Sequence, residues 1–493
     1  MGLKHRWEFE ESARRLCSTE TREIDLSASG QLNIALIFLG PYALGMSNLG
    51  FLTVHKSMSL FPGIGVERFF FPLEDGIPFP PPYYSFETHR PLGDFHILAF
   101  SLSFEDSFDK FPALFSALGI PINAEKRKSR LPLLLAGGAA VASNPRALSR
   151  VFDILVTGEA EPILFEMLSR FMKNGLSPDL VADLPGVWVP SQTFSPNPIV
   201  KVHDVSSDPA FSHIVSSQNI FGGAALIEVM RGCPRACSFC LARKIYFPPR
   251  AVSMLKLMEH FENHPQFSEW GLVAPSLFDH PEITSILEFL AQQKIRLRNS
   301  SAKWEKLTVK NLELLRACGV TGLTLAPETG SIRLGKEMGK VLQHEFFFDT
   351  LEKIVFQGFS SIKLYFMLGV PSETFEDLDE TLSLIEKVKD IEKGRLASLV
   401  VSFSGFVPKW GTPWQDAPAP ELSELKRRFR YVKNYLQKFA GNLRARFESP
   451  KDIVRQAYLA KVGPEFAEEL EKEAFEWNAK NQLKKTPPME ADF

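Results

Sequence analysis

Short, continuous apolar runs that alternate with helical stretches constrain the fold of this chain more than any other feature. Each run ends in glycine or a polar turn, as expected for strands that are buried on both faces of a parallel sheet. The pattern predicts a doubly wound parallel sheet domain of the α/β class over residues 31–200, with ligands at the carboxyl ends of its strands. Its strands are predicted at residues 34–39, 97–102, 131–136 and 154–157, and its helices at 44–60 and 107–118.

A second series of strands and helices begins near residue 225 and predicts a partial (β/α)6 barrel over residues 219–415. Barrels of this kind carry their active sites at the carboxyl ends of the strands. The strands are predicted at residues 225–230, 270–274, 295–299, 322–326, 361–367 and 399–403, and the helices at 281–292, 309–318, 345–357 and 375–390.

Two further segments flank these domains. Residues 1–30 are polar and charged without a clear period, and we expect an N-terminal extension there. Residues 416–493 are predicted to form a C-terminal helical segment, in which one apolar stripe lies opposite lysine and arginine side chains. A stretch rich in proline and serine at residues 188–208 is predicted to link the two domains.

Composition excludes several classes of protein. The chain has 493 residues, of which 45% are hydrophobic and 23% charged, as in ordinary globular proteins rather than disordered or disulfide-scaffold ones. The net charge of −2 provides no overall attraction to nucleic acid or to a membrane surface. No apolar run approaches the roughly 20 residues that span a bilayer, and the acidic N-terminus lacks the apolar core of a signal peptide. We therefore expect a cytoplasmic protein without a membrane partner.

The cysteines are few and clustered. Cys233, Cys237 and Cys240 follow the first predicted barrel strand in a C-x3-C-x2-C spacing, whereas Cys17 and Cys318 lie elsewhere. An odd, clustered count argues against a disulfide framework and for metal or redox chemistry. We expect Cys318 to be a core residue because leucines surround it in the sequence, and we assign no role to Cys17.

Thiolates are soft ligands that suit either an iron–sulfur cluster or zinc. A structural zinc site closes with four ligands, but the nearest histidines, His213 and His260, have the wrong spacing. Three thiolates on a cubane cluster instead leave one iron open to a substrate or cofactor. Three cysteines acting as small core hydrophobes would be the alternative, and the proline, arginine and serine interleaved with them argue against it.

The cysteine loop resembles that of the radical S-adenosylmethionine enzymes. The resemblance rests on the C-x3-C-x2-C spacing after the first strand of a six-unit barrel and on the aromatic Phe239 before the last cysteine. It implies that Cys233, Cys237 and Cys240 hold a [4Fe-4S] cluster whose fourth iron binds S-adenosylmethionine. One electron then cleaves this cofactor to give methionine and a 5'-deoxyadenosyl radical. The same resemblance places Phe239 beside the adenine.

The resemblance covers about residues 33–415 and extends to a subgroup of uncharacterised radical enzymes with an N-terminal cobalamin-binding-like domain. It rests on the segments YALGMSNLG, FSLSFE, LAGGAAVASNP, VTGEAEP, LTLAPETGSIRL, KLYFMLGVPSET and GFVPKWGTPWQ. Cobalamin is therefore a further cofactor that the resemblance allows. The motif D-x-H-x-x-G, which supplies the lower ligand of cobalt, is absent after the first strand, and we expect structural roles for His55 and His96. Many relatives bind cobalamin without a protein ligand.

The resemblance also implies roles for four further residues. Glu328 would contact the ribose or amino acid moiety of S-adenosylmethionine, and Lys340 would lie near its carboxylate. Gly369 would let the backbone approach the adenine, although a plain turn at the end of a strand explains this glycine equally well. Ser276 stands where the family has Gly-Gly-Glu and is the candidate for the methionine amino group. Glu328 could instead stabilise a helix N-terminus.

The sequence predicts an enzyme that functionalises a C–H bond of an unknown substrate, with methyl or sulfur transfer as further options. A non-catalytic iron–sulfur protein, which carries electrons or binds a partner, is the alternative. The resemblance implies an electron donor such as flavodoxin or ferredoxin, and no residue can be named as catalytic. Nucleic acid binding by a basic face is less favoured than a solvated helix; that face comprises Lys426, Arg427, Arg428, Arg430, Lys433 and Lys438.

Overall fold

A computed structural model describes residues 2–24, 28–74, 83–127, 132–195, 203–298, 301–439 and 441–483 of this chain. The chain divides into two compact units. The first unit comprises Met1–His203, His213–Ile220 and Val462–Phe493, and the second comprises Asp204–Ser212 and Phe221–Lys461. The domain boundaries expected from the sequence stay predictions. None of the helices in the described part of the chain combines the length and the apolar composition that a membrane span requires.

The first unit is built on a six-stranded sheet. Its strands follow the order β3-β2-β4-β5-β6-β7, in which the first five run parallel and β7 is antiparallel. The elements are α1 (Gly2–Cys17), β1 (Glu20–Arg22), β2 (Leu32–Phe38), α2 (Tyr42–Gly45), α3 (Leu49–Ser59), β3 (Ile64–Phe70), β4 (Ile97–Ser101), α4 (Phe111–Leu118), β5 (Leu133–Gly137), α5 (Ala139–Ser143), β6 (Ile154–Val156), α6 (Ala160–Asn174), β7 (Val187–Trp188) and β8 (Ile214–Ser216). This parallel sheet confirms the predicted α/β fold class.

Strand β3 was not expected from the sequence because charged residues interrupt its apolar run. Glu67 and Arg68 lie in the middle of the strand, and both are fully buried. Arg68 is accommodated by ion pairs with Glu20 at 2.8 Å and with Glu87 at 2.6 Å. Since a buried charge is tolerated only when it is paired, these acids from outside the strand explain how the arginine can lie in the sheet.

The N-terminal segment, expected to be a polar extension, forms a helix that packs on the core of the first unit. Phe9, Ala13 and Leu16 of α1 are buried in the same apolar cluster as the central sheet. These residues are spaced by four and three positions, as one helical face requires, but polar side chains surround them and mask the period. After α1, strand β1 pairs antiparallel with β8.

The second unit contains parallel strands in chain order. The elements are β9 (Ala225–Glu228), β10 (Met230–Arg231), α7 (Leu241–Tyr246), β11 (Arg250–Ala251), α8 (Met254–Asn263), β12 (Glu269–Val273), α9 (Ile283–Gln292), β13 (Arg296–Leu297), α10 (Val309–Ala317), β14 (Gly322–Glu328), α11 (Ile332–Glu337), α12 (His344–Phe356), β15 (Ser361–Leu368), α13 (Phe375–Glu392), β16 (Ser398–Gly405), α14 (Leu422–Leu436), β17 (Leu443–Phe447) and α15 (Pro450–Leu459). The last helix of the described residues, α16 (Phe466–Leu483), belongs to the first unit.

Two parallel sheets form the barrel-like part of the second unit. One has the order β13-β12-β9 and the other the order β14-β15-β16-β17. A parallel bridge between Ser301 and Thr324 connects the β13 side to β14. The series therefore agrees with the predicted partial (β/α)6 barrel, and β17 is a strand that was not predicted. Two arginines alternate with apolar residues in β17, so it lacks a continuous apolar run.

Burial alternates from one residue to the next along β14, β15 and most of β16 in the second sheet. In β15, Ile362, Leu364 and Phe366 are fully buried, whereas Lys363 and Tyr365 between them are only half-buried. Phe403 of β16 stacks on Phe366 with ring centroids 5.4 Å apart, and Phe447 of β17 stacks on Phe403 at 5.1 Å. We call the side that carries these phenylalanines the covered face and the opposite side the open face. Helix α14 packs on the covered face through Phe429.

Candidate functional site

The three clustered cysteines lie on a loop that joins two short antiparallel strands. Strands β10 and β11 pair Met230 with Ala251 and Arg231 with Arg250, and the loop closes between them. Gly232, directly before the first cysteine, has a φ of 86°. A Cβ atom there would lie 2.3 Å from the carbonyl oxygen of Tyr246. Glycine is therefore required where the two ends of the loop cross.

The interior of the loop is organised around a helix start. Cys240 is the N-cap residue of α7 and has extended backbone. Its backbone N–H donates to the carbonyl oxygen of Cys237 at 3.2 Å. The guanidinium of Arg243 donates to the carbonyl of Arg235 at 3.3 Å. These bonds tie the second half of the loop to the first.

Burial and neighbouring charges act in opposite directions on the thiols. Burial raises the pKa of Cys240, and the neighbouring backbone N–H groups of Ala242 and Arg243 lower it. Burial also raises the pKa of Cys237, whereas the ammonium of Lys340 lowers it. Both pKa values stay above the usual range of a thiol. Because iron displaces the thiol proton, a bound cluster would hold these cysteines as thiolates.

The donor set fits an iron–sulfur cluster rather than a single metal ion. All five cysteines are free thiols, and the three of the loop are partly exposed. In the described ranges, no three side chains of histidine, cysteine, aspartate or glutamate converge so as to hold one ion. A cubane has no such requirement, because each cysteine binds a different iron atom. Three thiolates on one short loop are therefore suitable ligands for a cluster.

Phe239 anchors the loop against the apolar end of the barrel. Its ring packs on a buried cluster, together with Met367 and Trp414. The residue before it, Ser238, donates its backbone N–H to the carbonyl of Met338 at 2.9 Å and accepts the N–H of Trp414 at 3.1 Å. The loop is thus held between the end of α11 and the segment after β16. Contact with an adenine stays a prediction for Phe239.

Glu328 and Lys340 form an ion pair beside the cysteine loop. The ammonium nitrogen of Lys340 lies 2.8 Å from Oε1 of Glu328, and both side chains are largely buried. Glu328 ends β14 after a register shift and has a φ of 67°, which is uncommon for a residue other than glycine. Gly339 brings the chain next to the loop, because a Cβ there would lie 3.0 Å from the carbonyl of Ala236. Both charges affect the pKa of Cys237, so the structure brings all three predicted site residues together.

Asp279, which the sequence motifs do not indicate, contacts Ser276 and the cysteine loop. Ser276 donates its hydroxyl to Asp279 at 2.8 Å, and the ammonium of Lys303 lies 2.6 Å from the same carboxylate oxygen. Arg235 of the cysteine loop approaches it at 3.5 Å. Burial raises the pKa of Asp279, but the hydrogen bond from Lys303 and its other polar partners bring it below the usual value. The sequence signal that could have indicated Asp279 is an acidic residue soon after the second barrel strand.

The surroundings of Gly369 explain this glycine by packing. It follows β15 with a φ of 72°, and a Cβ would lie 2.8 Å from Leu425 and 3.2 Å from Pro420. Its N–H donates to Glu373 at 2.8 Å, and Arg428 donates to the same carboxylate at 2.8 Å. These contacts agree with the turn at the end of a strand. An approach of the backbone to adenine stays a prediction.

The remaining cysteines and histidines lie in protein contacts. Cys318 is 1% exposed and burial raises its pKa to about 11, which confirms the predicted core cysteine. Cys17 accepts a hydrogen bond from Arg22 at 3.2 Å. In the first unit, His55 and His213 form a buried pair with ring nitrogens 2.9 Å apart. His96 accepts the backbone N–H of Asn33 at 3.0 Å, at the amino end of β2. Structural contacts therefore account for His55 and His96, as expected.

Two family descriptions match successive parts of the chain. Residues 50–190 match the family described as radical SAM proteins, N-terminal, and residues 227–385 match the radical SAM superfamily. The second match begins in β9 and includes the whole cysteine loop. It also includes Ser276, Glu328, Lys340 and Gly369.

Curated relatives cover the chain to different extents. An uncharacterised protein of Methanocaldococcus jannaschii is 26% identical over 438 residues, which are 87% of this chain and 88% of that protein. The tRNA-2-methylthio-N(6)-dimethylallyladenosine synthase of Trichlorobacter lovleyi is 25% identical over 186 residues, which are 34% of this chain and 41% of that enzyme.

Solved structures share the fold at low sequence identity. The radical S-adenosylmethionine methyltransferase TsrM from Kitasatospora setae, solved with cobalamin and a [4Fe-4S] cluster, has a TM-score of 0.52 at 14% identity, over 79% of this chain and 74% of its own. The cobalamin-dependent S-adenosylmethionine radical enzyme OxsB, solved with aqua-cobalamin and S-adenosylmethionine, has a TM-score of 0.51 at 14% identity, over 87% of this chain and 61% of its own.

Proposed function

Because this chain belongs to the radical S-adenosylmethionine superfamily, we propose that Cys233, Cys237 and Cys240 hold the [4Fe-4S] cluster of its reaction. The protein is an enzyme of that class, with S-adenosylmethionine as a cofactor and an unidentified substrate. When bound and reduced, the cluster supplies the electron that cleaves S-adenosylmethionine to methionine and a 5'-deoxyadenosyl radical. The observation that carries the proposal is the set of three thiols on one short loop, after the first barrel strand and beside a buried ion pair.

We assign the binding of S-adenosylmethionine to the residues around this loop. Lys340 offers an ammonium group beside Cys237, where it would attract the carboxylate of the cofactor. Glu328 holds that ammonium in place at 2.8 Å and keeps a carboxylate available for hydroxyl or amino donors. Asp279, which Ser276 and Lys303 already contact, is the carboxylate after the second strand. We propose Asp279, with Ser276, for the methionine amino group. Phe239 would then flank the adenine.

The reaction proposed is the functionalisation of a C–H bond, with methyl or sulfur transfer as the classes that relatives suggest. TsrM is named a methyltransferase and the enzyme of Trichlorobacter lovleyi a methylthio synthase. A reductant and a substrate are required partners. We propose flavodoxin or ferredoxin as the electron donor. A cytoplasmic location would suit five free thiols, because cytoplasmic reductants keep cysteines reduced.

We further propose that the first unit binds cobalamin at the carboxyl edge of its sheet. The solved relatives TsrM and OxsB carry this cofactor, which supports the proposal. His55, His96 and His213 all have protein partners, so cobalt would have none of these histidines as its lower ligand. Anaerobic protein mixed with hydroxocobalamin should retain it through gel filtration, with the spectrum of a form that lacks histidine. If the protein retains no cobalamin, the first unit has another ligand.

Iron analysis tests the assignment of the cluster. Anaerobically reconstituted protein should contain about four iron and four sulfide per chain. Cys237→Ala should lose the cluster and its visible absorption, because two thiolates hold a cubane poorly. The matched control is Cys318→Ala, which removes a buried thiol far along the sequence and should leave the iron content unchanged. A full, redox-active cluster in Cys237→Ala would contradict the assignment.

A further inference from the structure

The open face of the second sheet carries a row of positive charges. Lys363 of β15 pairs in register with Val400 of β16, and Val400 pairs with Arg444 of β17. Partners in register on neighbouring parallel strands point to the same face of a sheet. Arg446 lies two residues further along β17 and therefore faces the same way. The phenylalanine stack on the covered face fixes this assignment, because Phe447 differs by one position from Arg446.

Tyr365 adds a hydroxyl to the same face. It pairs in register with Ser402, which pairs with Arg446. The ammonium of Lys363 donates to the hydroxyl of Tyr365 and lies 4.3 Å from the centre of its ring. Strands are about 4.8 Å apart and alternate residues about 6.6 Å, so the backbone positions of these residues fall within about 12 Å of each other. Long side chains can therefore converge on one bound group.

The two arginines differ from most others in the second unit. Arg231, Arg298 and Arg333 each form an ion pair with an acidic side chain at 2.8 Å or less. Arg444 and Arg446 are exposed, and neither has an acidic partner among the residues that the structure describes. Two unpaired guanidinium groups beside a lysine create a concentrated positive potential.

The open face leads directly to the cysteine loop. Met367 follows Lys363 and Tyr365 on this side of β15 and packs on the same apolar cluster as Phe239. Met367 lies four positions after Lys363, which corresponds to about 13 Å along a strand. A molecule of that length could therefore contact the cations at one end and the surroundings of Phe239 at the other.

We propose that Lys363, Arg444 and Arg446 bind a phosphate group of the substrate on the open face. A phosphate monoester carries a charge close to −2 with three acceptor oxygens, which suits three cations with a nearby hydroxyl donor. A single carboxylate would be matched by one arginine. This inference rests on the proposed function, because it takes the substrate of the radical reaction to lie on this face of the barrel.

Calorimetric titration of the full chain with inorganic tripolyphosphate tests the proposal, without reductant or S-adenosylmethionine. The double variant Arg444→Gln/Arg446→Gln should weaken binding about tenfold or more at low salt, because both guanidinium groups would donate charge-assisted hydrogen bonds to phosphate. Lys363→Met should weaken it severalfold while keeping the apolar stem. Binding by the wild type should decrease as salt is added.

The matched control removes two positive charges elsewhere. Arg430 and Lys433 are exposed on α14, and neither has an ion pair within the described ranges. Arg430→Gln/Lys433→Met should change tripolyphosphate binding less than twofold. No binding by the wild type, or an equal loss in this control, would overturn the proposal. Equally tight binding of succinate, with the same loss in the β17 variant, would overturn the choice of phosphate.

A second arm identifies the source of the phosphate. A single-stranded RNA oligonucleotide that binds more tightly than tripolyphosphate and loses affinity in the β17 variant would identify a polynucleotide phosphate. Stronger binding of tripolyphosphate would identify a small phosphorylated substrate. Either result supports the site. Titration needs neither cluster nor radical, so failure of the proposed function would appear in cofactor cleavage and not in this assay.

Discussion

The positive φ and the close surroundings of Gly232 allow a specific prediction about the cysteine loop. Gly232→Ala places a residue with a Cβ at a φ of 86°, which costs about 1–2 kcal/mol. The new atom would also lie 2.3 Å from the carbonyl oxygen of Tyr246. Carbon–oxygen contacts are normally about 3.3 Å or longer, so the two ends of the loop must separate by roughly 1 Å. Such overpacking adds about 1–3 kcal/mol.

The total cost of about 2–5 kcal/mol falls on the residue next to Cys233, so we expect a lower melting temperature and poor retention of iron. Gly222→Ala is the matched control, because Gly222 also has a positive φ of 66° but has no atom within 4 Å of an added Cβ. Gly222→Ala should therefore lose only the stability that corresponds to backbone strain, and it should retain its iron. The assay is thermal unfolding with iron analysis after gel filtration. Equal behaviour of the two variants would refute the argument that the loop is closed at Gly232.

Two further predictions concern the buried histidine pair and the pair of Glu328 and Lys340. Burial lowers the pKa of His55 and takes that of His213 to about 3, whereas the unfolded chain titrates near 6.5, so the unfolded state binds more protons between these values. The first unit should therefore lose stability as the pH falls from 6.5 towards 3, and circular dichroism should show less pH dependence in His213→Gln; an unchanged profile would contradict the role of the pair. Glu328→Gln and Lys340→Met should weaken binding of S-adenosylmethionine non-additively, with a coupling of about 0.5–3 kcal/mol in a double-mutant cycle. Strict additivity would show that the ion pair does not act as a unit.

In the first unit, the fold was predictable where strands are continuously apolar and not where charges interrupt them. The apolar runs that form β2, β4 and β5 predict buried strands, because only burial on both faces of a sheet accommodates such runs. Strand β3 contains Arg68. This arginine can be buried because Glu20 and Glu87, from distant parts of the sequence, form ion pairs with it. A single sequence does not reveal those partners.

The candidate site follows the same rule. The spacing of the three cysteines is local, so the sequence contains the whole signal. Glu328 and Lys340 pair across 12 positions that include α11, and the sequence motifs indicate both residues but not their pairing. The role of Asp279 depends on Lys303, which a later loop provides. Positions are thus predictable from motifs, whereas pairings require the three-dimensional structure.

Formation of 5'-deoxyadenosine is the direct test of the radical chemistry proposed for this chain. Anaerobic protein with a full cluster is reduced with dithionite, supplied with S-adenosylmethionine and analysed by liquid chromatography without added substrate. We expect slow release of 5'-deoxyadenosine and methionine in equal amounts, and loss of both products in Cys237→Ala but not in Cys318→Ala. If wild-type protein with a full, reduced cluster forms no 5'-deoxyadenosine, the account is contradicted and a non-catalytic iron–sulfur protein becomes the better description.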